Sequence, residues 1–140
     1  MTPEDAIQAN LREAFAREAQ SALRCLYFAR RADIEGRADV ASLLRSLAEG
    51  EHGHGFGHLE FLEDASDPLA GGGDTRSNVE SALAEAEGTA ATYDEFSKSA
   101  RLEKQEDLAD WLAAVAAAKR AHAAQLRALQ PARTSPRKSR

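Results

Sequence analysis

The sequence predicts an all-α protein, a four-helix bundle built from two repeated helical hairpins joined by a long crossover. Three observations predict this fold class. Good helix formers (alanine, leucine, glutamate and arginine) dominate the 140 residues, whereas aromatic residues contribute only 6%. Apolar residues recur every three or four positions in four separate segments. The second half of the chain also repeats the first half at a constant shift of 68 residues.

The first helix is predicted to begin at Thr2, a good N-cap that is followed by Pro3 and by acidic residues in the first turn. An inward-facing stripe then continues until Gly36 marks a break, and Glu18 interrupts this otherwise small or apolar face. We expect Cys25 to be a small core residue, with a redox thiol beside the site as the alternative. The other members of the stripe are Ile7, Leu11, Ala14, Ala22, Ala29 and Ala32.

The second helix is predicted over residues 37–63 and contains an ExxH motif. Glu51 and His54 are three residues apart, so they project from one helix face and can hold a single metal ion. A carboxylate on a core-facing stripe needs a partner, because a buried unpaired charge is costly. A metal ion or an Arg or Lys side chain would serve. The helix also contains four glycines that either admit a close neighbour or loosen the turn: Gly50, Gly53, Gly55 and Gly57.

Residues 64–77 are predicted to be the crossover, because they are rich in proline, glycine and aspartate. Fully extended they reach about 46 Å, against about 40 Å for a helix of some 27 residues. The crossover can therefore pass from one end of the bundle to the other. Alternatively, it can place the second half of the chain in the bundle of a partner subunit. The third and fourth helices follow. Residues 1–130 are predicted to form one bundle domain, and residues 131–140 a disordered basic tail.

The internal repeat places corresponding positions opposite each other across the predicted core, as a di-metal carboxylate site requires. The repeat is imperfect at this level of the bundle. Glu18 corresponds to Ala86, and Glu51 corresponds to Lys119. The pairs that do match include Asn10 with Asn78, Phe28 with Phe96, and His54 with His122.

Charge and cysteine usage exclude several classes of function. The net charge is −5, and the basic tail makes the folded part more acidic still, which argues against nucleic-acid binding. A single cysteine excludes an internal disulfide, and without a CxxC pair there is no rubredoxin-like module. No apolar run approaches a membrane span, and the first residues lack the pattern of a signal peptide. We therefore expect a cytoplasmic protein without a membrane partner.

The chain resembles the ferritin-like domain of rubrerythrins over about residues 10–129. This resemblance implies a ferritin-like four-helix bundle, two irons, peroxide reduction or a related redox reaction, and often a dimer. It also implies electron delivery through a rubredoxin domain that is absent from these residues, hence an external electron donor. The strings that resemble the family are NLREAFAREAQ, ARRADIEGRADVASLL, EGEHGHGFGHLEFL, GDTRSNVESA, YDEFSKSA and the final histidine of AAAKRAH.

Position by position, the resemblance implies that Glu18, Glu51, His54 and His122 are metal ligands. The third helix is one residue shorter than in the family. Ala86 takes its ligand position when counted from Asn78, and Glu85 takes it when counted back from Tyr93, so Glu85 is a further candidate ligand.

Lys119 stands at the carboxylate position of the second ExxH motif. Two metal ions need several carboxylates to offset their charge, so we expect the Lys119 ammonium to replace one ion and to pair with Glu18, Glu51 or Glu85. The alternative is that Lys119 extends from the seam into solvent.

The sequence therefore predicts a rubrerythrin-like metal-binding protein with oxidoreductase activity and one iron, manganese or zinc ion per site. The alternative is a metal-free degenerate bundle that acts as a binding or assembly module. In either case we expect a homodimer, with exchange of helical hairpins between subunits as one arrangement.

Overall fold

The computed structural model describes residues 1–130, which contain four α-helices and no strand. These helices are α1 (Pro3–Ile34), α2 (Ala38–Asp64), α3 (Thr75–Leu102) and α4 (Glu106–Leu129). A short 3-10 turn, Pro68–Ala70, lies between α2 and α3. The chain divides into two compact units at Gly71. We call the unit containing α1 and α2 the first hairpin, and the unit containing α3 and α4 the second hairpin.

The predicted fold class, four helices in two repeated hairpins with a long connection, is confirmed. The predicted tail, residues 131–140, lies outside the described residues. That residues 1–130 form a single domain stays a prediction. Among the helices of the described chain, none is both long enough and apolar enough to cross a membrane.

The start of α1 is confirmed by a capping box between Thr2 and Asp5. The Thr2 hydroxyl accepts a hydrogen bond from the Asp5 N–H at 3.1 Å, and the Asp5 carboxylate accepts one from the Thr2 N–H at 2.9 Å. The hydrogen bond from the Thr2 N–H is the largest cause that holds the pKa of the Asp5 carboxyl below its usual value, and the Thr2 side chain acts in the same direction.

The turn inside each hairpin shows the repeat at atomic detail. Gly36 has φ 76°, and Lys104, 68 residues later, has φ 59°. The N–H of Arg37 donates to the carbonyl of Ala32 at 2.7 Å, and the N–H of Gln105 donates to that of Ala100 at 2.9 Å. The predicted break at Gly36 is therefore confirmed. The same left-handed turn recurs at a residue that is not glycine.

Small residues fill the contact between the two helices of each hairpin. On α2 the buried residues recur every seven positions, at Ala41, Ala48, Gly55 and Leu62. On α4 they are Ala109, Ala116 and Ala123, which are the repeat equivalents of the first three. We call the small residues of these two series the alanine row: Ala41, Ala48 and Gly55 on α2, and Ala109, Ala116 and Ala123 on α4. Several larger apolar side chains are exposed, including Phe28 at 45% and Phe61 at 66%.

The predicted crossover is partly anchored to the first hairpin by Asp67. Its side chain is 1% exposed and accepts hydrogen bonds from Gln8 Nε2 at 2.7 Å, Arg12 Nε at 2.5 Å and the Leu69 N–H at 2.9 Å. The Leu69 bond contributes most to holding the pKa of Asp67 below its usual value, and the Gln8 and Arg12 contacts act in the same direction. Because Asp67 is fixed in this way, the freely extending part of the connection is shorter than the predicted residues 64–77.

Candidate metal centre

The two helices of the first hairpin approach closely beside the predicted ligands. Gly55 is buried, and a Cβ atom placed on it would lie 3.8 Å from the Phe15 ring and 3.9 Å from Glu18 Cβ. Gly55 therefore belongs to the close helix contact, which answers the question that the sequence left open for this glycine. A Cβ atom placed on the other three glycines of α2 would meet no atom within 4 Å.

Glu51 is half-buried and is held from α1 by Ser21. The Ser21 hydroxyl donates to Glu51 Oε1 at 2.8 Å. The second carboxylate oxygen, Oε2, is buried and has no hydrogen-bond partner among the described residues. A buried carboxylate oxygen without a partner is costly and therefore needs an explanation. Within its hairpin, Glu51 forms no ion pair with an Arg or Lys, so the alternative that the sequence left open is not realised there.

Glu18 and His54 face each other across the same hairpin. Glu18 Oε2 lies 3.5 Å from His54 Nδ1, with the Glu18 side chain 27% exposed and the His54 side chain 67% exposed. The hairpin thus brings a carboxylate of α1 next to the imidazole of the ExxH motif on α2. In residues 1–130, however, no three His, Cys, Asp or Glu side chains are already arranged to hold an ion.

The second hairpin places its candidate residues differently. Ala86 is buried against α4 at 7% exposure, whereas Glu85 is exposed. The helix α3 is continuous. Of the two residues that the sequence left open for the inward position, Ala86 is the buried one, as the count from Asn78 indicates. Lys119 is half-buried and His122 is exposed. Within this hairpin, neither the predicted ion pair between Lys119 and Glu85 nor an ion pair of His122 is formed.

Three further side chains, one thiol and two tyrosines, have surroundings of their own. Cys25 is a free, half-buried thiol. Tyr27 is exposed and its ring lies 5.6 Å from the guanidinium of Arg30. Tyr93 packs edge-on against Phe96 at 5.9 Å. None of them forms a side-chain hydrogen bond with a predicted ligand in the described chain.

Sequence reasoning missed Ser21. Its position held a usable signal, because it lies three residues after Glu18 and therefore on the same face of α1. Small hydroxyl residues are common in helices and usually bond their own backbone, so the residue type alone indicates nothing.

A comparison with known protein families gives a match over the first hairpin. The family model described as Rubrerythrin matches residues 9–79, just over half of the chain. The matched region covers most of α1, all of α2 and the connection, and it includes Glu18, Glu51 and His54. It ends before Glu85, Lys119 and His122. No curated protein matches the chain.

Proposed function

Because the chain belongs to the rubrerythrin family of ferritin-like, metal-binding proteins, we propose that its first hairpin holds a single metal ion in a redox site. Glu18, Glu51 and His54 are the proposed ligands. The proposed activity is peroxide reduction or a closely related redox reaction. The observation that supports this most directly is Glu51 Oε2, a buried carboxylate oxygen that has no partner in residues 1–130 and that a cation would satisfy.

The donor set fits a divalent transition metal. Two carboxylates and one imidazole suit Fe(II), Mn(II) and Zn(II), and the family favours iron. Glu18 and Glu51 would offset the charge of the ion, and His54 would contribute a neutral nitrogen. Because the His54 side chain is 67% exposed in its hairpin, it can rotate toward the two carboxylates.

The second hairpin lacks the residues for an equivalent site, which supports one ion rather than two. Ala86 and Lys119 stand at the repeat positions of Glu18 and Glu51, so the second set has lost two carboxylates and gained a positive charge. A second ion there would meet an ammonium group without enough negative charge to offset both. That His122 and Glu85 are also metal ligands stays a prediction from the sequence.

A bound iron ion would supply the one-electron redox change on which peroxide reduction depends. Reduction of a hydroperoxide to water and an alcohol consumes two electrons and two protons, and we propose that an external electron donor supplies the electrons. The described residues contain no cysteine other than Cys25, so a rubredoxin-type centre within them is excluded.

We also propose that the chain forms a homodimer. Each hairpin, taken by itself, leaves several large apolar side chains exposed, and soluble proteins usually cover contiguous surfaces of that kind. Light scattering coupled to size-exclusion chromatography measures the mass. A mass of one chain at micromolar concentration would contradict the dimer.

Metal analysis of purified protein tests the proposed function. After loading with Fe(II), Mn(II) or Zn(II) and desalting, we expect one ion per chain in the wild type and a large loss in Glu51→Gln. Glu60→Gln, an exposed glutamate on the same helix, serves as the matched control and should keep its ion. Iron-loaded protein should then consume peroxide in the presence of an artificial reductant.

The competing proposal is a metal-free bundle that serves as a binding or assembly module. Two observations favour it: no ready-made cluster of ligands exists in residues 1–130, and Lys119 replaces a carboxylate. Failure to bind any of the three metals would support this alternative and refute the redox site. Two ions per chain would instead refute the role assigned to Lys119.

A further inference from the structure

We propose that Ser21 is the positioning residue of Glu51, holding one carboxylate oxygen so that the other is presented to the metal ion. This inference rests on the proposed metal site. It starts from the 2.8 Å hydrogen bond from Ser21 Oγ to Glu51 Oε1 and from the buried, unpartnered Oε2.

The geometry of α1 explains how Ser21 reaches Glu51. Ser21 lies three residues after Glu18, so both side chains project from the face of α1 that packs on α2. The helices are close at this level, because Gly55 lies against Glu18 and Phe15. A short hydroxyl side chain can therefore span the gap between the helices and reach the carboxylate directly.

The Ser21 hydroxyl bonds a side chain on another helix and not the backbone of its own helix. A serine or threonine inside a helix commonly bonds the carbonyl four residues earlier, as Thr92 does with Gly88 at 3.1 Å in the second hairpin. The Ser21 hydroxyl instead donates to a side chain on the neighbouring helix. The bond is charge-assisted and partly buried, so it restrains the rotation of the Glu51 carboxylate.

A carboxylate held in this way has one oxygen free for a cation. Because Oε1 already accepts a hydrogen bond from Ser21 and Oε2 has no partner among the described residues, Oε2 is the oxygen that would bind a cation. Hydrogen bonds of this kind, from a neighbouring residue to a ligand, typically change metal affinity by about 10- to 100-fold. We therefore expect Ser21 to tune the affinity of the site.

The second hairpin differs from the first at the positions equivalent to Ser21 and Glu51. Thr89 stands at the repeat position of Ser21, and Lys119 stands at that of Glu51. Thr89 therefore keeps a hydroxyl but has no carboxylate at the corresponding position. At these repeat positions, only the hairpin that retains the ExxH motif has both a hydroxyl and a carboxylate.

Calorimetric titration of the full chain with Mn(II) tests the inference. We expect Ser21→Ala to raise the dissociation constant by about 10- to 100-fold, and Ser21→Thr, which keeps the hydroxyl, to remain close to the wild type. The matched control is Ser97→Ala. Ser97 is buried and donates to the Ala109 carbonyl at 2.8 Å, so its loss should lower the melting temperature without changing the affinity for Mn(II).

A spectroscopic readout separates positioning from general damage to the fold. With Co(II) as the probe, the visible absorption of Ser21→Ala should differ from that of the wild type in shape, because the Glu51 carboxylate is free to rotate. The Ser21→Thr and Ser97→Ala variants should give the wild-type spectrum.

The outcomes distinguish this inference from the proposed function. If the wild type binds Mn(II) and Ser21→Ala binds it equally well with an unchanged Co(II) spectrum, the role of Ser21 is refuted and the metal site stands. If Ser21→Thr binds Mn(II) as weakly as Ser21→Ala does, the hydroxyl does not determine the affinity and the inference also fails. If the wild type binds neither ion, the proposed function and the role of Ser21 fail together.

Discussion

Replacing Glu51 by methionine is expected to stabilise the metal-free protein while abolishing its metal binding. The two oxygens of this carboxylate contribute to stability with opposite signs. Oε2 is buried without a partner, which costs about 1–3 kcal/mol. Oε1 accepts a hydrogen bond from Ser21, and a bond to a charged group contributes about 1.5–3 kcal/mol. Methionine removes both contributions and keeps the length and helix propensity of glutamate.

The net change in the free energy of unfolding depends on which new hydrogen-bond partner the Ser21 hydroxyl finds in Glu51→Met. It becomes free to bond the carbonyl of Arg17 one turn earlier, as the Thr92 hydroxyl bonds that of Gly88. This bond keeps the hydroxyl paired but adds no stability to the helix, whereas the buried methionine side chain adds apolar contact of about 1 kcal/mol. We therefore expect the free energy of unfolding of the metal-free protein to rise by about 1 kcal/mol.

Urea denaturation followed by circular dichroism, with and without Mn(II), measures both effects. Wild-type protein should gain about 2.7 kcal/mol at a free ion concentration one hundred times the dissociation constant, and Glu51→Met should gain nothing. Glu60→Met, an exposed position on the same helix, should keep the gain. The reasoning is refuted if metal-free Glu51→Met is clearly less stable than the wild type, or if Mn(II) stabilises it as much.

Three other changes test separate parts of the structure. Lys119→Glu restores a carboxylate three residues before His122, so the number of ions per chain, measured by plasma mass spectrometry, should rise above one. Lys104→Gly relieves a left-handed backbone conformation and should raise the free energy of unfolding by about 0.5–1 kcal/mol. Asp67→Asn should weaken the acid sensitivity of folding. The pKa of Asp67 is lowered, mainly by the Leu69 N–H, so its contribution is full above about pH 4 and is lost as the pH falls through the lowered pKa.

Each of these changes has a control and a contradicting result. An unchanged ion count in Lys119→Glu would mean that the side chain extends into solvent. Lys98→Gly, inside α3, should lower stability by about 1 kcal/mol, and a similar loss in Lys104→Gly would contradict the turn geometry. Asp64→Asn, exposed at the end of α2, should leave the pH dependence of the urea midpoint unchanged. If Asp67→Asn also leaves it unchanged, the anchoring role of Asp67 is wrong.

Local sequence signals predicted the helices and their boundaries well. The capping residues Thr2 and Asp5, the break at Gly36 and the composition of the connection act over a few neighbouring residues, so they can be read directly from the sequence. The 68-residue repeat added a long-range signal, because two equivalent turns imply two equivalent hairpins. The prediction of two hairpins followed from these features together.

The contacts between helices were harder to predict. The stripe predicted for the first helix does contain the buried Ala22, Ala29 and Ala32. The sequence analysis did not identify the alanine row, whose small side chains let two helix backbones approach more closely. The sequence places Asp67 in the connection but does not indicate its contacts. Two of its three hydrogen-bond donors, Gln8 and Arg12, are far away in the sequence, and the third is the Leu69 backbone N–H. Ser21 was missed for the same reason: its partner lies 30 residues away on another helix.

The alanine row also limits what either hairpin gains by closing on itself. A buried methyl group contributes only about 0.8 kcal/mol, whereas fixing each backbone residue costs about 1–2 kcal/mol of conformational entropy. A pair of helices held mainly by such contacts has little free energy of its own. We therefore expect most of the folding free energy to come from burial of large apolar side chains such as Phe28 and Phe61, and we expect ligand geometry in the first hairpin to depend on that burial.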